Sequence, residues 1–243
     1  MTALLEVEGL TKRFGGVTAV DGCSFSVPEG TVTALIGPNG SGKTTVFNMV
    51  TGFVPADAGS VRFGGHPIRR PHPSRLARQG LTRTFQLARV FPRMTVVENL
   101  AAAIQQPNRR TFRLDVPPPD RSRAEEILAQ FGLTDVAGNL ASELSFGQQK
   151  LLEFATVLMG RPRLVLLDEP TAGVNPVMVE AMERHIRDLH RSGITFLVVE
   201  HEMNLVMRLC DPVVVLDHGT KLAEGTPAEV QANPLVLDAY LGA

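Results

Sequence analysis

Gly37-Pro38-Asn39-Gly40-Ser41-Gly42-Lys43-Thr44 follows directly on the apolar, β-branched run Thr31–Ile36, and this junction decides the fold. The octapeptide satisfies the phosphate-binding pattern G-x-x-x-x-G-K-[ST] in the strand-to-helix context the pattern requires. Its glycines let the backbone wrap an anion with N–H groups turned inward. A helix opening near Lys43 adds the positive end of its dipole. Lys43 brings a mobile charge to the β- and γ-phosphates, and the Thr44 hydroxyl is the expected Mg²⁺ ligand.

A second motif is needed to hold the metal from the opposite side. Leu164-Val165-Leu166-Leu167-Asp168-Glu169 is an apolar strand ending in two carboxylates. Asp168 is placed to reach Mg²⁺ through water, and Glu169 to polarise an attacking water at the γ-phosphate. Alone, such a pair reads equally as two solvated acids at a strand end. Beside a phosphate cradle it reads as catalytic.

Outward from these motifs, short β-branched runs alternate with helical patterns, which predicts an α/β fold with a largely parallel sheet. Arg163–Leu167, Ile194–Val199 and Pro212–Leu216 read as further strands. A helix is expected over Pro176–Arg191, with Asn175 as N-cap and Met178, Met182, Ile186 and Leu189 on one face. A shorter helix is expected over Glu202–Leu209. No strand pattern is visible from Leu87 to Gln149. There, Ala124, Ile127, Leu128 and Phe131 mark one helical face closed by Gly132, and proline-rich Gln106–Asp120 reads as a surface loop. The organisation expected is one domain, with 1–86 and 150–243 as the α/β core and 87–149 as an inserted helical part.

A formal net charge of −1 gives no reason to expect wholesale nucleic-acid binding. Cys23 and Cys210 fit no metal spacing and read as reduced thiols. Met1–Glu6 shows no signal peptide, and no apolar run approaches the ~20 residues of a spanning helix. A chain that stays in solution and reaches a membrane through partners is expected. From Val61 to Val97 there is no acidic residue, while Arg62, Arg69, Arg70, Arg75, Arg78, Arg83, Arg89 and Arg93 are all basic. This is either a solvated face or a surface held near anionic lipid headgroups.

Further motifs narrow the family. Leu144-Ser145-Phe146-Gly147-Gln148 resembles the signature of the ATP-binding-cassette (ABC) ATPases. Gln86, in Thr84-Phe85-Gln86, resembles the Q-loop glutamine, and His201, in Val199-Glu200-His201, the switch histidine. The order and spacing match the family across essentially the whole chain. The resemblance implies a P-loop (RecA-like) core, an N-terminal antiparallel β portion and an inserted helical subdomain. It also implies ATP and Mg²⁺ as cofactors. Gly37 through Thr45, including Thr45 itself, would line the nucleotide, with Phe14 stacking on adenine. Gln86 would join Thr44 and Asp168 at the metal, and Glu169, His201, Gln86 and Lys43 would carry the chemistry. Ser145, Gly147 and Gln148 would serve ATP held by a second ATPase subunit arranged head to tail.

The pattern departs from the family in three places. Phe146 replaces the first signature glycine, Phe14 the commoner tyrosine, and Asn175 the usual D-loop aspartate. Phe14 reads alternatively as core, and helix capping becomes the stronger role for Asn175.

Phe14-Gly15-Gly16, Arg83-Thr84-Phe85-Gln86, Ala172–Pro176 and Ala239-Tyr240-Leu241-Gly242 are similar to one branch, the larger ATPase type of branched-chain amino-acid importers. Urea and amide importers share nearly the same pattern. The implied partners are transmembrane permease subunits, a second ATPase subunit (self or a shorter paralogue) and, indirectly, an extracytoplasmic solute-binding protein. The implied location is peripheral, on the cytoplasmic face of the inner membrane. An exporter ATPase and a soluble non-transport ABC ATPase are the alternatives. Against the latter, the roughly 100 residues between P-loop and signature carry no sustained heptads, and only one cassette is present.

Overall fold

The computed structural model describes residues 2–69, 71–84, 90–104 and 118–241, with backbone only at 118 and 119. Strands β1 (Ala3–Phe14), β2 (Val17–Pro28), β4 (Ala58–Phe63) and β5 (His66–Pro67) form an antiparallel sheet in the order β2-β1-β4-β5. In the second sheet, β3 (Val32–Ile36), β6 (Leu81–Arg83), β7 (Leu164–Asp168), β8 (Thr195–Val199) and β9 (Val213–Asp217) run parallel. Antiparallel β10 (Thr220–Gly225) closes one edge, giving the order β10-β9-β3-β8-β7-β6.

The parallel strands read as unbroken apolar runs because both of their faces are covered. Alternate residues supply two different cores. Ile36, Val165, Leu167, Phe196, Val198 and Val215 pack towards the helices. Leu35, Leu164, Leu166, Leu197, Val199 and Leu216 pack towards the antiparallel sheet and helix α1 (Lys43–Val50).

The remaining helices are α2 (Pro73–Arg78), α3 (Val96–Ala102), α4 (Pro118–Gln130), α5 (Phe146–Leu158), α6 (Pro176–Arg191), α7 (Met203–Leu209), α8 (Pro227–Ala232) and α9 (Pro234–Leu241). The expected helical face of Ala124, Ile127, Leu128 and Phe131 is buried. The stretch read as a loop to Asp120 is corrected at its end, where α4 already runs from Pro118. Proline is tolerated in a first helical turn because its missing N–H has no intrahelical partner there. Residues 106–117 of that stretch lie outside the described residues. The boundary drawn between 149 and 150 falls inside α5.

Helical residues and sheet residues share one core. Phe154 of α5 meets Phe131 of α4 edge-on at 5.3 Å and Phe196 of β8 at 6.3 Å. Phe154→Ala is therefore expected to cost about 3–5 kcal/mol, the usual range for deleting a buried aromatic ring. Urea denaturation measures it; a loss under 1 kcal/mol would show that the two layers are not joined there. Both cysteines are buried and free, with burial raising the thiol of Cys23 to about 11 and that of Cys210 to about 12. Neither has the exposed, electropositive setting of a reactive thiolate.

Candidate active site

The carboxyl ends of β3, β8, β7 and β6 lie side by side, the usual place for a ligand in a parallel sheet. Each delivers part of the motif set. β3 runs into the glycine turn, which is held closely against its surroundings. A Cβ on Gly37 would stand 2.1 Å from the Leu216 carbonyl oxygen, with φ at +149°. At Gly42, the N-cap of α1, φ is +100° and a Cβ would stand 2.6 Å from the Ala19 carbonyl oxygen. No L side chain fits either position, so the pattern's glycines are required by packing as well as by φ.

Lys43 is buried and folds back across the turn. Its ammonium donates to the carbonyl oxygens of Gly37 (2.8 Å) and Pro38 (2.9 Å). Burial lowers its pKa, and the charges of Glu169 and Asp168 oppose that shift. The lysine is thus a desolvated cation facing two carboxylates. Thr44 and the tip residues Asn39 and Gly40 are exposed at the mouth, with Thr45 half-buried behind. The donor set fits a polyphosphate. A lone carboxylate with one hydroxyl fits Mg²⁺, which takes its other ligands from phosphate and water. Among the described residues no group of three or more His, Cys, Asp or Glu side chains gathers to hold a metal by itself.

At the end of β7, Asp168 is buried and pairs with Arg83 at 2.8 Å. Burial raises the carboxyl and the adjacent guanidinium draws it back down. Glu169, the next residue, takes φ +48°, a sparsely populated conformation for a non-glycine residue that clusters at functional sites. Its Oε1 lies 2.9 Å from His201 Nε2, which follows β8. The base candidate Glu169 and the expected switch residue His201, 32 residues apart, are therefore in direct contact. Gln86 lies outside the described residues.

Not all the expected residues meet. The cleft of about 750 Å³ beside the phosphate turn is lined by Gly37 to Ser41, His201, the Asp217–His218 turn and Asp238 to Tyr240 of α9. That lining includes neither Ser145, Gly147 and Gln148 nor Lys43, Thr44, Asp168 and Glu169, while Lys150 of α5 reaches the Glu169 carbonyl oxygen at 3.4 Å. Ser145 instead caps α5, its Oγ accepting from Gln148 N–H, while the Gln148 side-chain oxygen accepts from Ser145 N–H. Asn175 caps α6 by accepting from Met178 N–H at 2.9 Å, in line with its capping reading. Phe14 is half exposed at the end of β1, with Lys12 Nζ 5.4 Å from its ring centroid. Its core alternative is therefore set aside.

Sequence reasoning gave no role to Glu200 and put Arg83 on the wrong kind of surface. Buried Glu200 accepts from the Thr171 hydroxyl (2.6 Å) and N–H (3.0 Å), and its other oxygen from His201 N–H (3.1 Å). It ties the loop after Glu169 to the backbone of His201. The available signal was an acidic residue directly behind the four apolar residues Phe196–Val199. Arg62, Arg69, Arg75, Arg78 and Arg93 are exposed as an arginine-rich face requires, and Arg70 and Arg89 lie outside the described residues. Arg83 does not belong to that face, because its side chain is only 6% exposed.

Comparison with known proteins places this arrangement. The ABC transporter family model matches residues 20–172, and a second model, the branched-chain amino acid ATP-binding cassette transporter, matches residues 220–243. The chain is 43% identical to the high-affinity branched-chain amino acid transport ATP-binding protein BraF of Pseudomonas aeruginosa, over 98% of both chains. It is 39% identical to the corresponding protein LivG of Escherichia coli, again over 98% of each. Among solved structures it resembles a nucleotide-free ATP-binding cassette from an ABC transporter, with a TM-score of 0.91 and 36% identity over the whole of both chains. The same figures hold for the ADP conformation of an ABC-transporter cassette. With the glycine turn, Asp168, Glu169 and His201 brought to one end of the sheet, the chain belongs to the ABC transporter ATP-binding family and is an ATPase subunit of that kind.

Proposed function

We propose that this chain hydrolyses Mg²⁺-ATP to power import of branched-chain amino acids, working in pairs against membrane permease subunits at the cytoplasmic face of the inner membrane. The observation that carries the chemistry is the Glu169–His201 contact at 2.9 Å beside Lys43 and the glycine turn. The nature of the solute rests on the names of relatives similar over nearly the full chain and on the C-terminal match.

Each residue has a physical task. Phe14 offers an exposed ring for the adenine. The inward N–H groups from Gly37 to Thr45 bind the phosphates, and Lys43 exchanges its carbonyl partners for phosphate oxygens. Thr44, Asp168 and Gln86 would hold Mg²⁺, which when bound would offset the negative charge of the phosphates. Glu169 takes the proton of the attacking water, and His201, hydrogen-bonded to it, fixes its orientation. Ser145, Gly147 and Gln148 act on ATP held by the opposite subunit. ATP then closes the pair and hydrolysis opens it.

An apolar groove of about 410 Å³ suits a permease contact. It is lined by Phe53, Leu76, Leu81, Ile104 and Val157, with Arg78 at its side. Among the described residues no helix is long and apolar enough to cross a membrane, so contact with the solute pathway comes through such partners. The test is uptake of labelled leucine, isoleucine and valine by cells lacking the gene, complemented with wild type or Lys43→Ala. Uptake restored by wild type alone is expected. Unimpaired uptake of all three in the deletion, with loss of urea or amide uptake, would move the assignment to those solutes.

A further inference from the structure

Arg83 occupies the junction of three segments that each supply part of the proposed metal site. Its Nη2 donates to Asp168 Oδ2 at 2.8 Å, and its Nη1 to Asn48 Oδ1 at 2.6 Å and Thr51 Oγ1 at 3.2 Å. Its Nε donates to the Thr84 carbonyl oxygen at 3.2 Å. The guanidinium also lies 5.9 Å from the Phe47 ring centroid and 5.5 Å from that of Phe53. Asn48 and Thr51 belong to the last turn and C-cap of α1, whose first turn carries Thr44. Thr84 leads from β6 into the segment that carries Gln86.

We infer that Arg83 is a positioning residue for the Mg²⁺ site, a planar fork that fixes Asp168 relative to α1 and to the end of β6. This inference rests on the proposed metal role of Asp168. The physical case is one of geometry and charge. A buried carboxylate with a free torsion has two equivalent oxygens to offer. Asp168 has one of them held by Nη2, and among the described residues Oδ1 has no hydrogen-bond partner. That oxygen is the one left for the metal or its water. A lysine at this position would supply the same charge but not several donors in one rigid plane. Partners behind a metal ligand commonly contribute 10- to 100-fold in metal affinity.

The test separates metal from nucleotide. A fluorescent ATP analogue is titrated onto wild type, Arg83→Lys, Asn48→Ala and Asp168→Asn, first in EDTA and then at fixed nucleotide across a Mg²⁺ series. Mn²⁺ binding in the presence of ATP is followed in parallel by electron paramagnetic resonance. Arg83→Lys should keep its metal-free affinity within about twofold of wild type, while the half-saturating Mg²⁺ and Mn²⁺ rise by about tenfold or more. Asn48→Ala, which loosens the fork and keeps the charge, should shift them by about threefold in the same direction.

A folded Arg83→Lys whose metal curves superimpose on wild type overturns the inference. So does a metal-free affinity that falls as far as the metal-bound one, since that marks a general structural role. Removing one partner of a buried pair is destabilising; should Arg83→Lys not fold, unchanged metal curves in Asn48→Ala overturn the inference. Asp168→Asn distinguishes the two levels of the reading. If its metal curves match wild type, the metal role of Asp168 fails and this inference with it. If they shift while those of Arg83→Lys do not, only the role of Arg83 is lost.

Discussion

Glu169→Gln is expected to lower ATP hydrolysis by about 10²–10⁴-fold while leaving ATP binding intact, the usual consequence of losing an acid–base group of unchanged shape. The side chain is held in place from both sides. Its backbone takes φ +48° and its N–H donates to the Val199 carbonyl oxygen at 2.9 Å. Its carboxylate meets His201 Nε2 at 2.9 Å. The amide keeps that position and loses the basic oxygen. His201→Ala should also slow turnover, because the imidazole orients the base. Phosphate release at saturating ATP, beside equilibrium binding of an ATP analogue, measures both. Turnover at the wild-type rate in Glu169→Gln would place the base elsewhere.

Lys43→Ala is expected to abolish turnover and weaken ATP binding by about 10- to 100-fold, the equivalent of losing charge-assisted hydrogen bonds of about 1.5–3 kcal/mol. The free chain should tolerate the change. The ammonium there is buried, burial lowers its pKa, and its closest partners are main-chain carbonyls. Truncation removes a desolvated charge, so urea stability without nucleotide should stay near wild type. ATP affinity and hydrolysis both at wild-type level would show the cradle to be misassigned.

What was legible in the sequence follows from the length over which each signal is written. The glycine turn and the Asp168-Glu169 pair are contiguous, and each ends an apolar strand whose two faces are covered by the two cores. Helix α6 was legible to its ends because Asn175, Pro176 and its buried face Met182, Ile186 and Leu189 agree. Strand β6 was not, since Leu81-Thr82-Arg83 is too short to show a period. The hairpin β1–β2 hides its alternation behind several register shifts, and Lys12 is buried against Asp57. Helix α3 has its capping box at Thr95 and Glu98 but only 7 residues.

Arg83 was grouped with its neighbours because a count of arginines along the chain carries no depth. Its partners Asn48, Thr51 and Asp168 come from distant segments that only the folded chain brings together. Glu200 was hidden for the same reason, as its hydroxyl partner Thr171 lies 29 residues away. The relation of Ser145 and Gly147 to ATP was legible only through resemblance, since within the chain Ser145 and Gln148 bond to each other as a helix cap.

The head-to-tail pair is tested most directly by light scattering on a size-exclusion column, using Glu169→Gln so that bound ATP is not consumed. The composite-site reading predicts a monomer mass without nucleotide and a doubled mass with ATP and Mg²⁺, either for this chain alone or when mixed with a candidate shorter paralogue. Adding Ser145→Arg to the same background should abolish the doubling while ATP still binds, because bulk and charge then stand in the contact and not in the cradle. A monomer mass with saturating ATP and Mg²⁺, both alone and with the paralogue, would contradict the reading. So would a doubled mass that Ser145→Arg leaves unchanged.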